Sequence, residues 1–286
     1  MSGIFWLASY PKSGNTWLRA FLTNYWRDGD AAADINDLDA GPIVSSRAVL
    51  DEWLGMESSD LTWEEIEHYR PLVHERMAAS SSEPIFIKVH DAFTRNSEGL
   101  PLFPKTATAG VIYLIRNPLD VAVSYAHHAD RPVDEIIGWM GSDTHAMKAA
   151  DGKLYDQLPE RLLSWSGHVR SWVDEPDLNV HVVRYEDMAN RPLTTFSGIV
   201  RFARLTVDAE RIRVALERSQ FDRLQAQEAA HGFAVKQPTA ESFFRKGRVG
   251  SWRGSLTERQ VQELVRNHDE VMCRYGYLNG AERIDY

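Results

Sequence analysis

Four short apolar runs punctuate the chain: Ile4–Ala8, Ile85–Val89, Val111–Ile115 and Val180–Arg184. Each is apolar or β-branched, and each gives way closely to polar, charged or proline positions, the pattern of strands ended by turns. Between them the pattern lengthens to the helical period. Trp17 to Trp26 is amphipathic, and LDVAVSYAHH follows Asn117 and Pro118, an N-cap and a first-turn proline. Strands alternating with helices predict an α/β fold, a central parallel sheet flanked by helices. Ligands of such sheets bind beyond the carboxyl ends of the strands. Here those positions are Pro11–Thr16, His90–Asp91, Arg116–Asn117 and Tyr185–Glu186–Asp187, so the chemistry-bearing side chains gather on one edge.

No internal repeat or low-complexity linker interrupts the 286 residues, which predicts one domain over 1–286. Segments 28–70, 130–165 and 226–243 are expected outside the sheet, as pocket and lid segments. The last of these, with Gly232, Pro238 and several alanines, reads as a cover.

Charge narrows the function. Acidic residues number 41 against 32 basic, a net charge of −9, which argues against general nucleic-acid binding. An anion site must then be a local concentration of positive groups. The single cysteine, Cys273, allows no internal disulfide, and no Cys/His spacing suggests zinc. No apolar run approaches the ~20 residues of a membrane span, and the first residues lack the basic region of a signal peptide. A protein of the cytoplasm, without membrane or nucleic-acid partners, is expected.

Three segments supply positive charge at turns. SYPKSGNTW, residues 9–17, reads as a strand end, a turn carrying Lys12, and a helix opened by Asn15 and Thr16. Helix starts leave N–H groups unpaired and point the positive end of the dipole into the turn, a seat for phosphate or sulfate. A turn whose Ser13 and Asn15 only cap a helix fits those residues equally. Arg116, with Ser124 eight residues on, suits a terminal phosphate, but a salt bridge to Asp120 is the competing reading. SFFRKGRVGSWRG places Arg245, Lys246, Arg248 and Arg253 among three glycines that let a backbone approach an anion. A solvated basic loop is its alternative.

SYPKSGNTW, YLIRNPLDVAVSY, VRYEDM and FFRKGRVGSW, in that order, resemble the cytosolic-type sulfotransferases that use 3′-phosphoadenosine 5′-phosphosulfate, over about residues 4 to 256. The resemblance implies a single P-loop, nucleotide-kinase-like α/β domain. It assigns Lys12, Ser13, Gly14, Asn15 and Thr16 to the donor's 5′-phosphosulfate and Trp17 to a stack on adenine. Arg116, Ser124, Arg245, Lys246 and Gly247 would hold the 3′-phosphate, and Tyr185 with Ser219 and Phe221 would complete the adenine pocket. The family's Lys-Thr-His base pattern stands here as Lys88-Val89-His90, lacking the threonine. Asn15 replaces the usual Thr or Ser. The dimer motif of many animal members is not matched by Arg253–Gln262, so association by that route is not expected. The spacing from Lys12 to His90 is closer to bacterial natural-product members.

The expected reaction is sulfuryl transfer to a hydroxyl of a small-molecule acceptor, without metal. His90 would be the general base, since an imidazole with an ordinary pKa accepts protons at neutral pH. Lys12 and Lys88 would stabilise the charge that develops. A strand-end histidine bonded only for structure is the plain alternative for His90. Two other functions compete. A nucleotide kinase would need G-x-x-x-x-G-K-[ST], whereas Lys12 precedes Gly14. A non-catalytic nucleotide-binding module would have no use for His90.

Overall fold

The four apolar runs are strands, and the helices between them fall where the period changes. The computed structural model describes residues 3–27, 29, 31–41, 43–149, 153–236 and 242–278. Its strands are β1 (Ile4–Ser9), β2 (Ile85–Val89), β3 (Thr108–Ile115), the two-residue β4 (Ala146–Met147) and β5 (Glu160–Arg161), and β6 (Val180–Arg184). Its α-helices are α1 (Asn15–Arg27), α2 (Arg47–Leu54), α3 (Trp63–Ala79), α4 (Pro118–Ala129), α5 (Val133–Met140), α6 (Trp165–Val173), α7 (Tyr185–Asn190), α8 (Pro192–Phe202), α9 (Ala209–Arg218), α10 (Phe221–His231) and α11 (Glu258–Arg274). The central parallel sheet has the order β2-β1-β3-β6. β1 and β2 pair in parallel from Ile4 opposite Ile85 to Ala8 opposite Val89. Every residue of β1 is buried, which is why its sequence does not alternate.

Cα packing divides the chain into two compact units. The first comprises Met1–Tyr10, Ala40–Tyr113 and Asp143–Val182; the second comprises Pro11–Asp39, Leu114–Ser142 and Val183–Tyr286. The first holds β1, β2, nearly all of β3, α2, α3, α6 and the antiparallel β4–β5 ladder. Its core is aromatic: Phe5 stacks on Phe86 at 5.1 Å, and Trp6 meets His74 and Phe103 edge-on. Ile43 bridges in parallel to Lys88, and the Val44 amide donates to the Lys88 carbonyl at 2.9 Å, covering the outer edge of β2.

The second unit is helical. α1 packs on α9, and Arg211 of α9 donates to the carbonyls of Tyr25 and Trp26 (2.6 and 2.9 Å), placing a cation at the C-terminal end of α1. Phe21 and Phe196 meet at 4.3 Å. A separate apolar cluster joins Ala20 of α1, Ile35, Leu224 of α10, Phe233 and Phe244. Residues 226–231 of the expected cover are the end of α10, and its 237–241 stretch lies outside the described residues. Among the described residues no helix is long and apolar enough to cross a membrane.

Candidate active site

In the second unit the turn after β1 is built for close approach. Lys12 has φ +67°, left-handed backbone that a lysine seldom adopts. Gly14 has φ +102°, and a Cβ there would lie 2.8 Å from the Tyr185 ring, so only glycine fits. Asn15 opens α1, as expected, and Ser13 is buried with its hydroxyl meeting no protein partner among the described residues. Thr16 and Trp17 are half-buried. Trp17 sits edge-on to Tyr185 and tilted on Phe196, its Nε1–H buried without a described partner.

Arg116 ties this turn to the 245–252 loop. Its guanidinium donates to the carbonyls of Lys12 (3.1 Å) and Arg248 (3.2 Å) and lies 4.2 Å above the Tyr185 ring. The salt bridge to Asp120 does not form, because that carboxylate has other donors. It accepts the amides of Gly250 (2.8 Å) and Trp252 (2.9 Å) and the Ser251 hydroxyl (3.0 Å). Asp120 thus fixes the loop and leaves Arg116 its charge. The Arg245 pKa is lowered by partial burial and by repulsion from Arg116. Arg116 Nε is buried without a described partner. Two mutually repelling guanidiniums, neither paired with a carboxylate among the described residues, suit an anion.

The remaining predicted residues divide. The Tyr185 hydroxyl donates to the Gly247 carbonyl at 2.9 Å, and burial raises its pKa, so the phenol stays a neutral donor. Gly247 has φ +58°, and a Cβ there would fall 2.2 Å from the Phe221 ring. Ser124 is half-buried on α4 and Lys246 is exposed. Ser219, the C-cap of α9, is fully buried and donates to the Ala215 carbonyl (2.8 Å), while the Phe221 ring lies against Gly247.

Sequence reasoning missed the clamp above Lys12. Glu228 of α10 accepts the amides of Phe243 (2.6 Å) and Phe244 (2.8 Å), and Gln225 donates to the Phe244 carbonyl (2.7 Å). This places the Phe243 ring 3.9 Å from the Lys12 ammonium. A lone glutamate in a polar helix gives no sequence signal of that role.

Lys88 and His90 belong to the first unit. Lys88 is buried near the end of β2, and His90 is half-buried just past it. His90 Nδ1 lies 2.9 Å from the Ser9 carbonyl. A carbonyl only accepts, so this bond places a proton on Nδ1. Glu160 accepts the Ser45 hydroxyl at 2.9 Å. Burial and the nearby Asp91 push the Glu160 carboxyl up to about 7, against the opposing pull of Lys88, Ser45 and Arg70. Asp91 takes a two-pronged, fully buried ion pair from Arg70 (3.2 and 3.0 Å). Also missed was His168, whose Nε2 lies 2.9 Å from the His90 carbonyl. Its signal was the SWSGHVRSW spacing, which puts His168, Ser171 and Trp172 on one helical stripe.

Among the described residues no cluster of three or more His, Cys, Asp or Glu is placed to hold a metal ion. The sulfotransferase domain family matches residues 3–276. The chain is 27% identical over 282 residues to 3-beta-hydroxysteroid sulfotransferase of Cavia porcellus, across 93% of this chain and 83% of that one. Against amine sulfotransferase of Oryctolagus cuniculus it is 25% identical over 175 residues, across 59% of this chain and 56% of that one. A crystal structure of retinol dehydratase in complex with androsterone and the inactive cofactor PAP shares the fold, with TM-score 0.62 and 20% identity over 94% of this chain and 80% of that one. By a family match that runs almost from end to end, the chain belongs to the sulfotransferase family, enzymes that draw on 3′-phosphoadenosine 5′-phosphosulfate.

Proposed function

We propose that the protein moves the sulfuryl group of 3′-phosphoadenosine 5′-phosphosulfate to a hydroxyl of a small-molecule acceptor, giving a sulfate ester and 3′,5′-adenosine bisphosphate. One domain over 1–286, acting in the cytoplasm, is part of this reading. The observation that carries it is the uncompensated Arg116–Arg245 seat tied to the Lys12 turn. The buried, unpartnered Ser13 hydroxyl, Arg116 Nε and Trp17 Nε1 fit a ligand rich in acceptors.

The donor supplies an activated sulfuryl group when bound; the chain's residues bind, orient and move one proton. Arg116 and Arg245, with Ser124, Lys246 and Gly247, would hold the 3′-phosphate, whose charge relieves their mutual repulsion. Lys12, Ser13, Gly14, Asn15 and Thr16 would receive the 5′ end at the start of α1, where backbone donors and the helix dipole favour negative charge. Trp17, Tyr185, Ser219 and Phe221 would enclose the adenine. His90 Nε2 takes the acceptor's hydroxyl proton as that oxygen bonds to sulfur and the bond from sulfur to the phosphate oxygen breaks. Lys12 and Lys88 steady the charge on the moving group and the departing phosphate. The Cavia porcellus relative is named for a hydroxysteroid, in keeping with a hydroxyl acceptor.

Calorimetric titration with 3′,5′-adenosine bisphosphate beside ATP, ADP and AMP tests the donor site. Strong preference for the bisphosphate is expected. Equal or better binding of ATP overturns the sulfotransferase reading in favour of a kinase.

A further inference from the structure

A base displaced by about 1 Å can lose on the order of 10²-fold in rate, so what holds His90 matters as much as its presence. His90 stands one residue beyond the paired register of β1 and β2, which ends at Val89. The segment after it is sewn to one stripe of α6. His168, Ser171 and Trp172, at i, i+3 and i+4, bond to the His90 carbonyl (2.9 Å), the Phe93 amide (3.0 Å) and the Asp91 carbonyl (2.9 Å). From β5, the Arg161 carbonyl accepts the Ala92 amide at 2.7 Å. Four successive residues are thereby fixed by neighbours outside their own strand.

His168 is committed at both ring nitrogens. The His90 carbonyl can only accept, so Nε2 of His168 carries the proton. Nδ1 is then the acceptor for the Tyr113 hydroxyl at 2.7 Å. Tyr113 and His168 are both fully buried, and the Tyr10 ring meets the imidazole edge-on at 5.5 Å. Burial lowers the His168 pKa to about 4, so the ring is neutral through the physiological range. A buried Tyr hydroxyl, a single His tautomer and one backbone carbonyl form a chain that ends on the residue carrying the base. At the other end of His90, its own ring is held by the Ser9 carbonyl.

We propose that His168, locked in its Nε2–H tautomer by Tyr113, is a positioning residue for His90. By holding the His90 backbone carbonyl it keeps the ring seated on Ser9, with Nε2 as the proton acceptor. The kinetic part of this inference rests on His90 being the base; the structural part does not.

The variants are His168→Leu, His168→Gln and Tyr113→Phe, with His90→Ala as reference. Histidine-labelled protein read by long-range 1H–15N NMR reports the His90 tautomer without any acceptor. Kinetics with 4-nitrophenol give kcat and both KM values, and calorimetry gives affinity for 3′,5′-adenosine bisphosphate. In the wild type His90 should read as the Nδ1–H form. His168→Leu should mix its tautomers and lower kcat about 10²-fold while leaving donor KM and bisphosphate affinity unchanged. His168→Gln, whose amide can donate to His90 and accept from Tyr113, should restore both readouts. If His168→Leu does not fold, Tyr113→Phe decides, with tautomer mixing at His168 and a smaller loss of kcat expected. An unchanged His90 tautomer in the folded variants overturns the inference, as does a loss of bisphosphate affinity matching the loss of kcat. Retained transfer by His90→Ala sinks the base assignment alone, because the NMR result still judges the positioning role.

Discussion

Some of the charges in the two units are met in different ways. In the first, buried charges meet opposite charges: Arg70 with Asp91, Arg161 with Glu67, and Glu160 beside Lys88. In the second, Arg116 and Arg245 repel each other, Lys12 faces an aromatic ring, and burial lowers the Arg19 pKa to about 10. The nearest carboxylate in sequence, Asp120, is turned onto backbone amides. A buried pair left to itself contributes little net stability but is costly to break. Two guanidiniums that repel each other, as Arg116 and Arg245 do, instead favour a nearby anion. On the function proposed above, the first unit holds a geometry and the second receives a ligand.

The sharpest way to break this comparison is to separate turnover from binding. His90→Ala should lower kcat by about 10²–10⁴-fold, the usual contribution of a general base, with bisphosphate affinity unchanged by calorimetry. Lys12→Ala should damage both. A His90→Ala protein that binds the bisphosphate poorly would show that the division between holding and receiving is false.

Arg116→Ala is next in size. A charge-assisted hydrogen bond contributes about 1.5–3 kcal/mol, so affinity for the bisphosphate should fall by about 10- to 10²-fold. AMP, which lacks the 3′-phosphate, should be far less affected. Equal losses for both nucleotides would mean that Arg116 acts only through its bonds to the Lys12 and Arg248 carbonyls.

The second unit was also the more legible in sequence. Its seat is made by turns and helix starts, where a few residue types have fixed uses. Gly14 and Gly247 are required by Tyr185 and Phe221, and Asn117 and Pro118 open α4 as read. The strands were legible for a related reason, since apolar and β-branched residues cluster between turns: Ile85–Val89 and Val180–Arg184 have the read bounds, although in the second only Val183 is buried. What could not be read were contacts between residues far apart in sequence that carry no motif. His168 meets His90 across 78 positions, Asp120 meets Trp252 across 132, and Gln227 reaches Ala33 across 194. The Ser219 hydroxyl bond to the Ala215 carbonyl was likewise not read. A serine near a helix end has that local option, and nothing in its neighbours excludes it.

Acid sharpens the contrast. Burial lowers His74 to about 3 and His145 and His168 to about 4, and it lowers His181 as well; all four lie in the first unit. Their folded values lie below the unfolded value, so the unfolded chain binds more protons. Their stabilisation is complete above about pH 6.5 and is lost as pH falls toward 4. For fully buried His168 the ceiling is about 3 kcal/mol. Glu160 runs the other way: raised to about 7, it favours folding below its unfolded value and loses that contribution as pH rises through 7. In the second unit the lowered carboxylates Asp39 and Asp134 are exposed and act only below their ordinary range. Hydrogen exchange, corrected for its intrinsic pH dependence, should loosen β2 and α6 first between pH 6.5 and 4. Earlier loosening of α1 and α4 would overturn the assignment.

The smallest effect tests what the ring over Lys12 contributes in the second unit. Phe243 touches Lys12 through its ring, while its backbone is pinned separately by Glu228. Phe243→Leu therefore removes the cation–π contact and leaves the loop in place. Such a contact is worth about 0.5–1 kcal/mol when partly exposed, so bisphosphate affinity should fall about two- to fivefold. Glu228→Gln does the reverse: it keeps the ring but leaves the amides of Phe243 and Phe244 with a weaker, single-oxygen acceptor. If the ring's place over Lys12 depends on that carboxylate, Glu228→Gln should cost at least as much affinity as Phe243→Leu. The double variant should then cost little more than Glu228→Gln alone, because residues that act through one contact are not additive. Full additivity in calorimetry would separate the loop from the lysine, and Lys12 would owe its position to the turn that gives it φ +67°.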